Sequence, residues 1–305
     1  MKKDLLSVQD LTRDEIFSIF DKATELKKSP FSESGALKNK IVALIFEKPS
    51  NRTRVSFEVG SIQLGANPIY LGSDDIKFGE RESVKDIARI LSRYVDLAVL
   101  RTFKHSDILE FAQYATIPVI NGLSDLFHPC QAISDVFTIK EKFGSLKDKV
   151  LCYVGDGNNV LHALLFCSSK TGLSMKIATP KSCKPDMKIL KEANGIAKET
   201  GCRIELFEHP NMAVKDADVI YTDVWVSMGQ EKEKTKKMKE FKGFQVNSRL
   251  LKSAKKDVLI MHCLPAHRGE EITDEVIDSK NSIVFDQAEN RLHVQKAIML
   301  KLLAS

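Results

Sequence analysis

Long apolar runs are missing from this sequence: none approaches the roughly 20 residues a helix needs to span a bilayer. The opening Met1-Lys2-Lys3-Asp4 passes into a polar, amphipathic stretch with no apolar h-region. A cytoplasmic protein with no membrane contact is the expectation. Six cysteines (Cys130, Cys152, Cys167, Cys183, Cys202 and Cys263) lie scattered with no C-x-x-C pair, which suits reduced thiols. With 15 Gly and 9 Pro in 305 residues, neither a fibrous nor a disordered chain is indicated. Single-sign charge blocks are absent too. The balance is 46 basic to 41 acidic residues, net +5, and the densest run, 231–242, interleaves Glu with Lys and reads as a solvated face or mobile loop. No nucleic-acid partner is expected from such a distribution. A mild positive balance does suit anionic substrates.

What is present is an ordinary globular composition, 43% hydrophobic and 29% charged, on a chain long enough for two cores. Short β-rich runs alternate with helical patterns, which predicts an α/β protein of two domains, each a parallel sheet flanked by helices. The expected strands are 41–46, 68–71, 96–101 and 118–121, then 150–154, 175–178, 203–207, 219–222, 258–261 and 283–285. Expected helices include 52–63, 84–93, 107–114, 128–143, 159–170 and 186–199. The polar stretch 144–149 marks the boundary, giving a first domain at 1–144 and a Rossmann-like second domain at 145–286. Segment 287–305 is read as a final helix packing back on the first domain.

The run 41–46 feeds Glu47-Lys48-Pro49-Ser50-Asn51-Arg52-Thr53-Arg54, beyond which a partly apolar helix begins. Helix N-termini collect backbone N–H groups and the positive end of the dipole, a ready phosphate site. Ser50 and Thr53 add hydroxyls, and Arg52 and Arg54 add guanidinium forks. A capped helix with two solvated arginines is the bland alternative. Arg101 ends a strand at the carboxyl edge of its sheet, where α/β folds bind ligands. His128 and Gln131 open a helix three residues apart, placed to point toward one atom.

In the second half, Gly155-Asp156-Gly157-Asn158-Asn159 follows a strand and opens a helix. The third glycine of a dinucleotide fingerprint is missing, so its asparagines are better read as holding an amino-acid head group. Asp223 follows another strand and offers charge for a cationic amine, with Ser227 and Met228 close behind. The run His262-Cys263-Leu264-Pro265-Ala266-His267-Arg268-Gly269-Glu270-Glu271 ends a further strand. His262, Cys263 and His267 have metal-ligand chemistry, but their spacing fits no common zinc pattern.

Taken together these strings resemble the aspartate and ornithine carbamoyltransferases across nearly the whole chain. Residues 50–54 resemble the family's Ser-Thr-Arg-Thr-Arg turn, with Asn51 where Thr is usual. The resemblance implies carbamoyl phosphate ligands at Ser50, Asn51, Arg52, Thr53, Arg101, His128, Gln131, Cys263, Leu264 and Arg291. Lys77, in a segment resembling a loop that reaches a neighbouring subunit, would complete them across the interface of a homotrimer. Asn159, Asp223, Ser227, Met228 and the His-Cys-Leu-Pro string resemble the ornithine branch. They imply transfer of a carbamoyl group to the δ-amine of ornithine, with Cys263, Asp223, Arg101 and His128 as the catalytic residues. Neither metal nor cofactor is expected. A relative acting on an N-acylated ornithine or on putrescine is the alternative, and a noncatalytic homologue is a more distant one.

Overall fold

The computed structural model describes residues 3–76, 78, 82–226 and 234–303. It divides into two compact units, one comprising residues 1–137 and 289–305, the other residues 138–288.

The first unit opens on helix α1 (Arg13–Lys28), capped by Thr12 and Glu15 in a reciprocal box. Strands β1 (Ile41–Phe46), β2 (Asn67–Leu71), β3 (Leu97–Arg101) and β4 (Val119–Leu123) alternate with α2 (Asn51–Gln63), α3 (Val84–Leu91), α4 (His105–Tyr114) and α5 (Pro129–Phe143). All pairings are parallel, in the order β2-β1-β3-β4. The two central strands are apolar and buried almost throughout, as sheets covered on both faces require. Strand order reverses between β1 and β3, and such a reversal opens a crevice at the carboxyl ends of both strands. Ser50 and Arg101 are delivered to that edge.

The second unit winds β5 (Val150–Val154), α6 (Asn159–Thr171), β6 (Ser174–Ala178), α7 (Met187–Thr200), β7 (Ile204–Phe207), α8 (Pro210–Ala213) and β8 (Val219–Thr222), continuing through α9 (Lys234–Glu240), α10 (Ser248–Leu251), β9 (Leu259–His262) and α11 (Asp274–Ile277). Its parallel sheet runs β7-β6-β5-β8-β9, the doubly wound order expected of a Rossmann-like domain. Here the reversal lies between β5 and β8, whose ends carry Asp156 and Asp223. Trp225 stacks on Phe241 at 5.2 Å inside the apolar core of this unit.

Helix α12 (Val284–Leu303) closes the chain. Within the first unit, its Lys296 ammonium donates to the Pro30 carbonyl at 2.9 Å and to Gln63 Oε1 at 2.8 Å, and Gly60 of α2 lies against the Lys296 and Met299 side chains. The expected strand 283–285 is not formed. A single parallel bridge pairs Ser282 with Ile260, and helix geometry takes over at Val284. The apolar triplet there faces two environments, one turn of bridge and one turn of helix, which periodicity over three residues does not distinguish.

Gly157 is needed for space. A Cβ there would sit 2.3 Å from the Pro185 nitrogen and 2.4 Å from the Lys184 carbonyl carbon, both backbone. Its own N–H donates to the Cys183 carbonyl at 2.8 Å, so the glycine of the 155–159 turn serves chain packing. Gly157→Ala should therefore cost about 2 kcal/mol or more in chemical denaturation. Gly195→Ala, in the exposed interior of α7 with nothing within 4 Å, should stabilise by about 0.5–1 kcal/mol.

Candidate active site

In the first unit the turn after β1 becomes the N-terminus of α2. Ser50 Oγ caps it by accepting from the Thr53 N–H at 3.4 Å, while Asn51 and Arg52 remain exposed at the mouth of the helix. Thr53 is buried, and its hydroxyl accepts from Arg291 Nη2 at 2.9 Å. Arg291 Nη1 donates to Gln131 Oε1 at 2.8 Å, and Gln131 in turn donates from Nε2 to Asp135 at 2.8 Å. A relay from a fully buried carboxylate thus fixes the Arg291 fork against the α2 turn. The Gln131 carboxamide is occupied in orienting Arg291, with one amide proton to spare. Arg54 turns away, bonded to Glu58 at 2.9 Å and lying 3.7 Å from the centroid of Tyr70.

Arg101 and His128 are buried at the carboxyl edge of the same sheet. Both are about 5% exposed, yet Arg101 Nε and His128 Nδ1 have no hydrogen-bond partner among the described residues. Buried polar atoms are ordinarily satisfied, so these two are candidates to meet a ligand, the guanidinium as a donor and the imidazole nitrogen as donor or acceptor according to its tautomer. Burial, with the Arg291 and Arg52 charges added, brings the Arg101 guanidinium down to about 10. Burial and then Arg291, Arg101 and Arg52 hold His128 well below the usual histidine range, so it is neutral at pH 7. Three mutually repelling guanidinium groups around a neutral imidazole form an electropositive recess suited to a dianion.

The second unit gathers the opposite charge. Asn158 caps α6, its Oδ1 accepting from the Val160 and Leu161 N–H groups at 3.0 and 3.2 Å, while its Nδ2 donates to Asp223 Oδ2 at 2.7 Å. The other Asp223 oxygen accepts from Cys263 Sγ at 2.9 Å and from the Val224 N–H at 2.8 Å. Cys263 is the one half-exposed cysteine; the other five are buried, with burial pushing the Cys130 thiol up to about 12.

His262 fixes the loop that presents Cys263. Its Nδ1 accepts from the Leu264 N–H at 2.8 Å, which leaves the proton on Nε2 to be donated to Glu271 at 3.1 Å. Leu264 takes the left-handed conformation at φ 59, a strained setting held by that bond. Asp223, His262 and Cys263 cluster tightly enough to suggest a metal. Both imidazole nitrogens are already engaged, however, and His267 belongs to a separate group with Glu270 and Glu271.

The sequence reading took Asn158 and Asn159 together as holders of an amino-acid head group and did not foresee that Asn158, the residue before the helix, caps α6 and holds Asp223. It also passed over Asp135, four residues beyond Gln131 on the same face of α5, and Lys237 of α9, which is buried although it lies in the run read as solvated. Lys77, Ser227 and Met228 lie outside the described residues.

A profile for the aspartate/ornithine carbamoyltransferase carbamoyl-P binding domain matches residues 3–141, and one for the Asp/Orn binding domain of the same family matches residues 147–302. The chain belongs to the aspartate/ornithine carbamoyltransferases. It is 54% identical over 303 residues to the ornithine carbamoyltransferase of Archaeoglobus fulgidus, covering 99% of this chain and 97% of that one. The Pyrococcus furiosus protein named ornithine carbamoyltransferase, anabolic, is 52% identical over 299 residues, 97% of this chain and 95% of that one. Its solved structure matches with a TM-score of 0.96 at 51% identity over 100% and 98% of the two chains. The Thermus thermophilus ornithine carbamoyltransferase structure gives 0.90 at 42% identity over 99% of each.

Asn158→Ala removes a cap and strips Asp223 of a donor, so denaturation should show a loss of about 1–2 kcal/mol. A loss below about 0.3 kcal/mol would show that the amide holds neither group.

Proposed function

We propose that the chain is an ornithine carbamoyltransferase, moving the carbamoyl group of carbamoyl phosphate to the δ-amine of L-ornithine with release of phosphate and L-citrulline. The observation that carries this reading is the division of charge. Arg101, Arg291 and Arg52 gather positive charge around His128, suited to an anion, and Asp223 is a buried carboxylate beside a thiol, suited to a cationic amine. Relatives above 50% identity bear the same name.

In this reading the α2 turn, with Ser50, Asn51, Arg52 and Thr53, holds the phosphate. Arg101 and His128 donate to the carbamoyl oxygen, and Gln131 and Arg291 support them. Negative charge grows on that oxygen as the amine attacks, and donors fixed beforehand stabilise it without reorganising. Carbonyl groups at Cys263 and Leu264 accept from the carbamoyl nitrogen. Asn159, Ser227 and Met228 bind the amino-acid head group, while Asp223, with the Cys263 thiol donating to it, orients the δ-amine and assists loss of its proton. Carbon–nitrogen bond formation and expulsion of phosphate complete the transfer with no covalent enzyme intermediate. Lys77 is assigned to the site of a neighbouring copy in a homotrimer, on the resemblance of residues 77–83. A cytoplasmic enzyme of arginine synthesis fits the scattered thiols and the relative named anabolic.

Citrulline formation with ornithine, N-acetylornithine, putrescine and aspartate compared should favour ornithine, and a preference for any other amine would replace the assignment. Arg52→Ala, at an exposed position, should leave the fold intact and lower kcat/KM by about 100-fold or more. The amine must be neutral to attack, and an alkyl amine titrates near 10.4, so activity should climb about tenfold per unit as pH rises from 6 toward 8. Burial, then the Arg291, Arg101 and Arg52 charges, push His128 downward, away from the pH range of this rise.

A further inference from the structure

Two carboxylates flank Asn158, and the fold treats them differently. Asp156 takes a charged partner: Lys237 Nζ of α9 lies 2.5 Å from its Oδ2, with both side chains buried. Among the described residues Asp223 takes neutral donors, the Asn158 amide, the Cys263 thiol and the Val224 N–H. The two acids share one turn, since the Asn158 N–H also donates to the Asp156 carbonyl at 2.8 Å, and the buried Tyr153 hydroxyl donates to that carbonyl at 2.9 Å. They feel each other: burial pushes the Asp156 carboxyl up, Lys237 pulls it back, and the Asp223 charge adds to the rise.

Neutral donors fix the direction of a carboxylate without cancelling its charge. An ammonium at 2.5 Å cancels it. Lys237 and the substrate read above both end in a primary alkyl ammonium, so the lysine, held on Asp156 two residues before the Asn158 that donates to Asp223, is a chemically matched competitor for that carboxylate. We propose that Asp156 is a positioning residue that retains the Lys237 ammonium, so that the Asp223 carboxylate keeps its charge for the incoming amine. The ion pair acts through specificity: it keeps the internal amine away from the group that must receive the external one. This rests on the assignment of Asp223 to the substrate amine. Glu240, three residues beyond Lys237, is occupied with the Cys183 thiol at 3.6 Å.

Asp156→Asn releases Lys237 toward Asp223, and KM for ornithine should rise about tenfold or more while kcat moves less and KM for carbamoyl phosphate holds. Adding Lys237→Met removes the competitor and replaces a buried ion pair by a neutral pair, a change that cores tolerate. KM for ornithine should then fall back to within about threefold of the unmodified enzyme. An unchanged KM in Asp156→Asn, or a double variant no better than the single one, would overturn the proposal, the latter marking the pair as scaffolding. Should Asp156→Asn fail to fold in thermal melts, Lys237→Met alone decides: its KM for ornithine should not rise, and a tenfold rise would make Lys237 itself a substrate ligand. Absence of citrulline formation by the unmodified enzyme would instead fault the assignment of function.

Discussion

Uncompensated charge, held rigid where parallel strands end, is the constraint on which this molecule depends. Taking a charge out of water costs several kcal/mol unless it is paired. Arg101 at the end of β3 and Asp223 at the end of β8 are nonetheless buried without an ion-pair partner among the described residues. Each sits at the strand reversal of its own sheet, where helix N-termini and loops converge. The apolar, fully covered central strands supply the rigidity that lets such groups persist. Each unit therefore carries a site of one sign, electropositive around Arg101 and electronegative around Asp223.

Neutral side chains do most of the orienting. Gln131 transmits the direction of Asp135 to Arg291, Asn158 holds Asp223, and His262 sets the backbone at Leu264. Amide and imidazole groups suit this work because they fix geometry and leave charge available to a ligand. Where the structure needs a charge removed, it uses a full ion pair, as at Asp156 and Lys237. The contrast between these two devices a few residues apart is the physical content of the second unit's site.

Much of this was legible in the sequence. β1, β5 and β8 were read to the residue because buried parallel strands are continuous apolar runs bounded by polar turns. Ser50 caps the helix that the polar turn after β1 opens, Arg101 ends β3 and His128 precedes α5, places that the pattern of apolar runs and turns marks in the sequence. The orienting residues were harder to see, since Gln131 to Asp135 is a helix-face relation and Asp156 to Lys237 spans 81 positions. Lys237 was hidden by its company: a lysine-rich run reads as solvated, and only the tertiary fold turns one member inward. Asn51, exposed at the first position of α2, occupies the place where a related turn has Thr without disturbing the Ser50 cap.

The claim that the Arg101 recess is an anion site awaiting carbamoyl phosphate is tested most directly by calorimetric titration of carbamoyl phosphate in the absence of any amine. Binding to one site per chain is expected, weakening as salt is raised and falling about tenfold or more in Arg101→Gln. Equal affinity in the variant and the unmodified protein would contradict the account.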